Sequence, residues 1–310
     1  MSFFGLLNVN KPAGMTSRDV VNRVQRVTRS IEADLPKKDR TKIGHAGTLD
    51  PLATGVLVVA LGPATRLIEY VQRMPKRYTG TFLLGQESPT EDVEGEVTLL
   101  DRPPEPTLDE LRRAAEKLTG EIQQRPPAYS ALKIKGRRAY NLARAGKEVD
   151  LQPRPITIYR LDVIDYAYPS MVLDVECGSG TYIRSLGRDL AESLGTGAVM
   201  SALERIAIGS FRVADAMSLD ELSVESITAR LIPPQQAVTS LPQTALSADE
   251  VQQLENGTMI QRSDLDAEEI AAVDADGRLI AILTVHGNGM YRPAKNFEAN
   301  TRRENGADDP

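Results

Sequence analysis

The sequence predicts an α+β protein, and three observations carry that expectation. Val56 to Leu61 is an unbroken apolar run of strand length, as expected of a strand buried on both faces. Residues 155 to 178 alternate apolar and polar as two strands joined near Tyr168-Pro169-Ser170, with Met171, Leu173, Val175 and Cys177 on one face. Helices are announced by capping-box spacing at Thr16 with Asp19 and at Thr107 with Glu110, each followed by an apolar stripe.

The elements follow in order. Leu6 to Val9 is a short strand, and Asn10 to Ser17 turns into a helix with Val20, Val21, Val24 and Val27 inward and Arg18, Arg23, Arg26 and Arg29 facing elsewhere. Residues 31 to 43 are polar and loop-like. Pro63 suits a first helical position, Leu67, Ile68 and Val71 form the helix face, and Pro75 ends it. Lys76-Arg77-Tyr78 opens a strand running to Leu84. The helix from Thr107 to Leu118 has Gly120 where a C-terminal cap would stand. A later helix buries Ile183, Leu186, Leu190 and Leu194. Ile206 to Val213 is a strand, and Ser218 with Glu221 opens a helix ending before Pro233-Pro234.

Those prolines, with Leu241-Pro242, divide the chain into a main domain at 1–238 and a small β-rich one at 239–297. The second holds a helix over Leu246 to Thr258 and strands at Ile270 to Val273 and Leu279 to Val285, with a turn at Asp276-Gly277. His286 belongs at a strand end. Residues 298–310 carry almost no apolar content and are expected to be a disordered tail.

Bulk properties narrow the function. One cysteine excludes an internal disulfide framework, and with two histidines a Cys/His metal cluster is implausible, so no metal is expected. Phe3, Phe4, Leu6 and Leu7 are too few for a signal-peptide core, and no apolar run spans a membrane, so a cytoplasmic protein is expected. The net charge of −6 is unevenly spread: residues 248 to 310 hold 13 acidic and 6 basic side chains, leaving residues 1 to 247 nearly balanced. A basic face on the main domain is therefore compatible with the total. From Lys133 to Lys147 there are six basic residues and no acid, which a solvated face or a phosphate-binding surface would equally explain.

Gly44 to Gly55 holds one carboxylate, Asp50, on a loop. Glycines at 44, 47 and 55 permit positive φ or close approach, and Pro51 biases Asp50 toward an extended backbone. An isolated Asp-Pro is most simply a turn. The whole string, Gly-His-Ala-Gly-Thr-Leu-Asp-Pro-Leu-Ala-Thr-Gly, resembles the catalytic motif of bacterial tRNA pseudouridine-55 synthases, the TruB family. The resemblance extends to Lys11-Pro12-Ala13-Gly14-Met15-Thr16-Ser17, to Lys76-Arg77-Tyr78, to Pro126 through Lys133, and to Cys177 through Arg184.

It implies a pseudouridine synthase fold, a large mixed, mainly antiparallel sheet flanked by helices, with a PUA-like C-terminal domain. It implies a basic RNA-clamping insertion at about 124–153. Asp50 becomes the catalytic residue, Arg184 its partner, and Tyr78 the ring that stacks on the target base. His45, Tyr182 and Leu203 are placed at the bound nucleotide, and Lys11, Lys133, Arg137 and Arg138 join them in binding substrate. The implied partner is the T stem-loop of tRNA, bound by a monomer without a cofactor. Two departures stand out. Pro89, in Ser88-Pro89-Thr90-Glu91-Asp92, replaces an acid of the family pattern, and Glu204 stands where arginine is common.

The implied reaction breaks the C1′–N1 bond of a uridine, turns the uracil and joins C1′ to C5, after extruding the nucleotide at a cost of roughly a few kcal/mol. Asp50 could attack C1′, stabilise positive charge there, or take the C2′ proton. Two other functions are weighed against it. A non-catalytic RNA-folding protein would not need Asp50, Tyr78 and Arg184 together, and a glycosidase would need a second cooperating acid, which no motif supplies.

Overall fold

Alternating and continuous apolar runs build two sheets. The computed structural model describes residues 3–129, 133–134, 137–138 and 151–297. Its strands are, in order, β1 (Gly5–Lys11), β2 (Ile43–His45), β3 (Thr54–Leu61), β4 (Lys76–Leu84), β5 (Gln86–Glu87), β6 (Thr98–Leu99), β7 (Gly120–Gln124), β8 (Lys133–Ile134), β9 (Arg137–Arg138), β10 (Arg154–Ala167), β11 (Ser170–Cys177), β12 (Ala198–Ile208) and β13 (Phe211–Arg212). The main sheet has nine strands in the order β1-β3-β12-β4-β11-β10-β7, with β2 on β3 and β13 on β12. Every pairing is antiparallel except β3 with β12, where Thr54 faces Glu204. The expected mixed, mainly antiparallel sheet is thus present.

β3 is buried on both faces. Val56, Val58 and Ala60 pack with Tyr70, Val238 and Phe297, while Leu57, Val59 and Leu61 pack on Val20 and Val24 of helix α1 (Ser17–Ile31). The capping box of Thr16 and Asp19 starts α1. After β3, Gly62–Leu67 forms a 3-10 turn with Pro63 near its start before α2 (Ile68–Arg73) begins. Helix α3 (Leu108–Lys117) is capped by Thr107 and Glu110, but Gly120, with φ of 101°, opens β7 rather than capping the helix.

On the far half of the sheet, β10 and β11 bury Ile156, Ile158, Leu161 and Val163 with Met171, Leu173, Val175 and Cys177. A bulge between Ile158 and Arg160 shifts the phase of the β10 alternation. Helix α4 (Ile183–Glu192) lies on this layer. Gly187 makes the approach possible, because a Cβ there would sit 2.0 Å from Cε1 of Phe82.

Two expectations need correction. The strand placed at Ile206 to Val213 begins at Ala198, and only Phe211–Arg212 remains of its later half. The helix placed from Ser218 to Pro233 is broken: its capping box starts only the turn Leu219–Glu221, and a second box at Ser223 and Ser226 starts α5 (Val224–Ala229).

Beyond Pro242 come β14 (Gln243–Ala245), α6 (Ala248–Glu255), β15 (Ile260–Gln261), β16 (Glu269–Val273), β17 (Leu279–Gly287) and β18 (Met290–Asn296). They form a five-stranded sheet in the order β14-β16-β17-β18-β15. Its Ala271, Val273, Leu279 and Ile282 share one apolar cluster with Leu6 and Val56 of the main sheet and Tyr70 of α2. Of the basic insertion, the backbone of β8 pairs antiparallel with β9. The side chains of Lys133, Arg137 and Arg138 and the tail at 298–310 lie outside the described residues.

Candidate active site

The loop carrying Asp50 is fastened from three directions. From α1, Ser17 accepts a hydrogen bond from the Leu49 amide at 2.8 Å. From the end of β1, Lys11 Nζ donates to the carbonyls of Pro12, Met15 and Pro51 at 2.8, 2.7 and 3.2 Å. From β12, Arg205 Nη2 donates to Gly47 O at 3.0 Å and Nε to Val56 O at 2.7 Å. Gly55, with φ of 97°, is required here, since a Cβ would fall 2.3 Å from the Arg205 carbonyl. Leu49 and Ala53 are buried in the core, so Asp50 stands on a rigid arch.

Asp50 presents a carboxylate whose side chain is 38% exposed, and Arg184 Nε lies 3.2 Å from its Oδ2. The Arg184 guanidinium is otherwise consumed: Nη1 bonds Asp92 Oδ2 at 3.0 Å and Thr90 O at 2.6 Å, and Nη2 bonds Tyr129 O at 3.3 Å. Asp92 is 2% exposed and also accepts from Thr90 Oγ1 at 2.6 Å and the Glu94 amide at 3.2 Å. One turn along α4, Glu91 takes Ser185 Oγ at 2.6 Å and pairs with Arg188. Burial raises the Glu91 carboxyl above its ordinary range, with Arg188 opposing. The segment Ser88 to Asp92 therefore holds the front of α4.

Tyr78 on β4 lies opposite Val175 and Arg205 in the neighbouring strands and shares the cluster of Leu49, Ala53 and Leu203. Burial pushes its phenol above the ordinary value and Arg205 partly opposes this, so it remains a protonated ring near neutrality. Leu203 on β12 is 7% exposed. His45 is half-buried on β2, its Nδ1 has no partner among the described residues, and burial lowers its pKa, leaving a neutral imidazole. Tyr182 is the N-cap residue of α4, with Arg154 stacked 5.0 Å from its ring centre.

The structure thus brings Asp50 and Arg184 together, and places Tyr78 and Leu203 in the same cluster as Leu49. Lys11 is buried, and its ammonium donates to three carbonyls that close the Asp50 arch. Asp92, which bonds Arg184, and Arg205, which fastens the Asp50 arch, are not singled out by the sequence. Their partners lie far off in sequence, and only the acid string after Gly85 hinted at Asp92. Among the described residues no group of three His, Cys, Asp or Glu is placed to hold a metal. None of their helices is long and apolar enough to cross a membrane.

Chemically, the site offers one partly open carboxylate, backed by a guanidinium that a second, buried carboxylate restrains, next to Leu49, which shares an apolar cluster with Tyr78 and Leu203.

Comparison with known proteins identifies the family. The family model for the TruB family pseudouridylate synthase N-terminal domain matches residues 36–183, and that for the tRNA pseudouridylate synthase B C-terminal domain matches residues 184–238. A tRNA pseudouridine synthase B of Dehalococcoides mccartyi is 39% identical over 298 residues, covering 94% of this chain and 96% of its own. One of Mycobacterium tuberculosis is 40% identical over 299 residues, with the same coverage. A chain of a Cbf5-Nop10-Gar1 complex superposes with a TM-score of 0.68 at 25% identity, covering 92% of this chain and 79% of that one. The chain, matched over 94% of its length by these relatives and carrying an aspartate on a fastened loop against an arginine of a distant helix, belongs to the TruB family of pseudouridylate synthases.

Proposed function

We propose that the protein isomerises uridine to pseudouridine in tRNA, at position 55 of the T loop, with Asp50 as the catalytic residue. The observation that carries this is the 3.2 Å pair of Asp50 and Arg184, formed between a loop and a helix 134 residues apart. The relatives' names supply tRNA as the substrate. The T loop and position 55 are what the resemblance of the Gly44–Gly55 string to the motif of tRNA pseudouridine-55 synthases implies.

In this reading the uridine leaves its stack and its uracil lies against the Tyr78 ring, with Leu203 below and His45 and Tyr182 at the rim. Asp50 meets the ribose, where its negative charge either bonds to C1′, stabilises positive charge there, or removes the C2′ proton. The C1′–N1 electron pair leaves with the uracil, which turns and is rejoined through C5; the C5 proton is lost last. Arg184 holds the carboxylate in orientation throughout. Lys133, Arg137 and Arg138, in the tract without acids, bind the phosphates of the T stem-loop.

Asp50→Asn keeps the size of the side chain and removes its charge. It should lower pseudouridine formation in an unmodified tRNA transcript by more than about a thousandfold while leaving tRNA affinity within about threefold. Full conversion by this variant would refute the assignment. Loss of binding together with activity would shift the reading toward an RNA-binding role for the loop.

A further inference from the structure

Gln124 is the last residue of β7 and is fully buried. Its carboxamide makes both hydrogen bonds that a neighbouring strand would make. Oε1 accepts from the Tyr182 amide at 2.9 Å, and Nε2 donates to the Tyr182 carbonyl at 3.0 Å. Tyr182 begins α4 without a side-chain cap, so its own sequence does little to set where the helix starts. Gln124 does so from outside. Both polar ends of a buried amide are satisfied by one residue, an arrangement that fixes position more tightly than a single bond.

A second observation converges on the same spot. Arg154 is the partner of Gln124 across the β7–β10 ladder. Its guanidinium covers the Tyr182 ring at 5.0 Å and donates to the carbonyl of Gly180. Two residues beyond Tyr182, Arg184 reaches Asp50 at 3.2 Å. The residues just after Gln124 are tied to the same helix, since Arg188 Nη2 donates to Arg125 O at 2.9 Å and Arg184 Nη2 to Tyr129 O at 3.3 Å.

We infer that Gln124, supported by Arg154, is a positioning residue for the reaction: it sets the start of α4, and through it the Tyr182 ring and the Arg184 guanidinium against Asp50. The inference rests on the proposed role of Asp50. It concerns orientation and not contact with RNA, so it separates rate from affinity. A displacement of about 1 Å at a reacting group is enough to cost about a hundredfold. A group that merely filled the core would cost stability and leave the rate of the folded enzyme unchanged.

The test measures single-turnover pseudouridine formation by the full chain on an unmodified tRNA transcript, well below the melting temperature. Gln124→Met keeps the volume and removes both bonds, and the rate constant should fall about thirtyfold while tRNA affinity stays within about threefold. In an Arg184→Lys background the same change should add less than about threefold, because both act through one helix. An unchanged single-turnover rate overturns the inference, whatever happens to the melting temperature; so does an equal loss in both backgrounds. Should Gln124→Met fail to fold, Gln124→Glu, which keeps the acceptor and loses the donor, is judged by the same outcomes. Activity retained by Asp50→Asn would sink the reading of the site. A dead Asp50→Asn beside a fully active Gln124→Met would sink this inference alone.

Discussion

Arg184 makes four polar contacts from one guanidinium: to Asp50, Asp92, Thr90 and Tyr129. A lysine could not span them, because its ammonium is a single point of charge. A cation in the first turn of a helix is also opposed by the helix dipole, which the two carboxylates offset. Asp92→Asn would leave the shape but free Arg184 to move toward Asp50. The rate of pseudouridine formation should drop about tenfold to a hundredfold with tRNA affinity little changed; an undiminished rate would show that Asp92 only fills space. Asp50 and Arg184 were legible because each sits in a long motif. Asp92 was obscured by Pro89, which drew attention to the acid that is missing rather than to the one that remains. Gln124 and Arg205 left no trace, since a side chain that bonds a distant backbone imposes no pattern on its own neighbours. For Lys11 the motif was visible, but its inward direction was not.

Among the elements, β4, β11 and β10 are joined on their outer face by Asp174. Arg77 holds both of its oxygens, at 3.0 and 2.6 Å, and Arg160 adds a third bond at 2.9 Å. The Arg77 bonds hold its carboxyl below the ordinary aspartate value of 3.8, with burial opposing. The folded state therefore binds this proton less readily than the unfolded chain. The resulting stability is complete above pH 3.8 and is lost as pH falls through the lower folded value. Asp174→Asn should cost about 1 kcal/mol near neutrality after solvent screening, and the gap to the parent should close in acid. Denaturant titrations across pH would check it, and a gap that widened below pH 3.8 would contradict it. Strands β3, β10 and β11 were legible because burial on one or both faces writes itself as period two or as a solid apolar run. The first half of β12 was not. Ala198 to Glu204 is rich in residues that also suit helices, and its extended state comes from pairing with β4 on one side and with the Glu91–Val93 segment at Met200 on the other.

At the scale of the whole molecule, the second sheet is fastened to the first by a mixed seam. Phe4 and Phe297 stack at 5.3 Å, Arg66 lies 5.3 Å over the Phe297 ring, Tyr70 donates to Glu269 at 2.7 Å, and Lys295 reaches Glu69 at 2.6 Å. Phe297 is 1% exposed, so Phe297→Ala should cost about 3 kcal/mol or more. Because the apolar cluster is shared, a single thermal transition should move downward; early melting of the second sheet alone would show that the seam is weak. The presence of a small β-rich module was legible from its strands and turn. Its sharing of a core with the main sheet was not, because no local pattern records which distant face an apolar side chain meets.

The Phe4–Phe297 stack also has a consequence for biosynthesis. A ribosome delivers the second ring 293 residues after the first, about 15 to 60 s later at ordinary elongation speeds. Throughout that interval the apolar slot beside Phe4 and Tyr70 stays unfilled, so the nascent chain exposes it to water until Phe297 emerges.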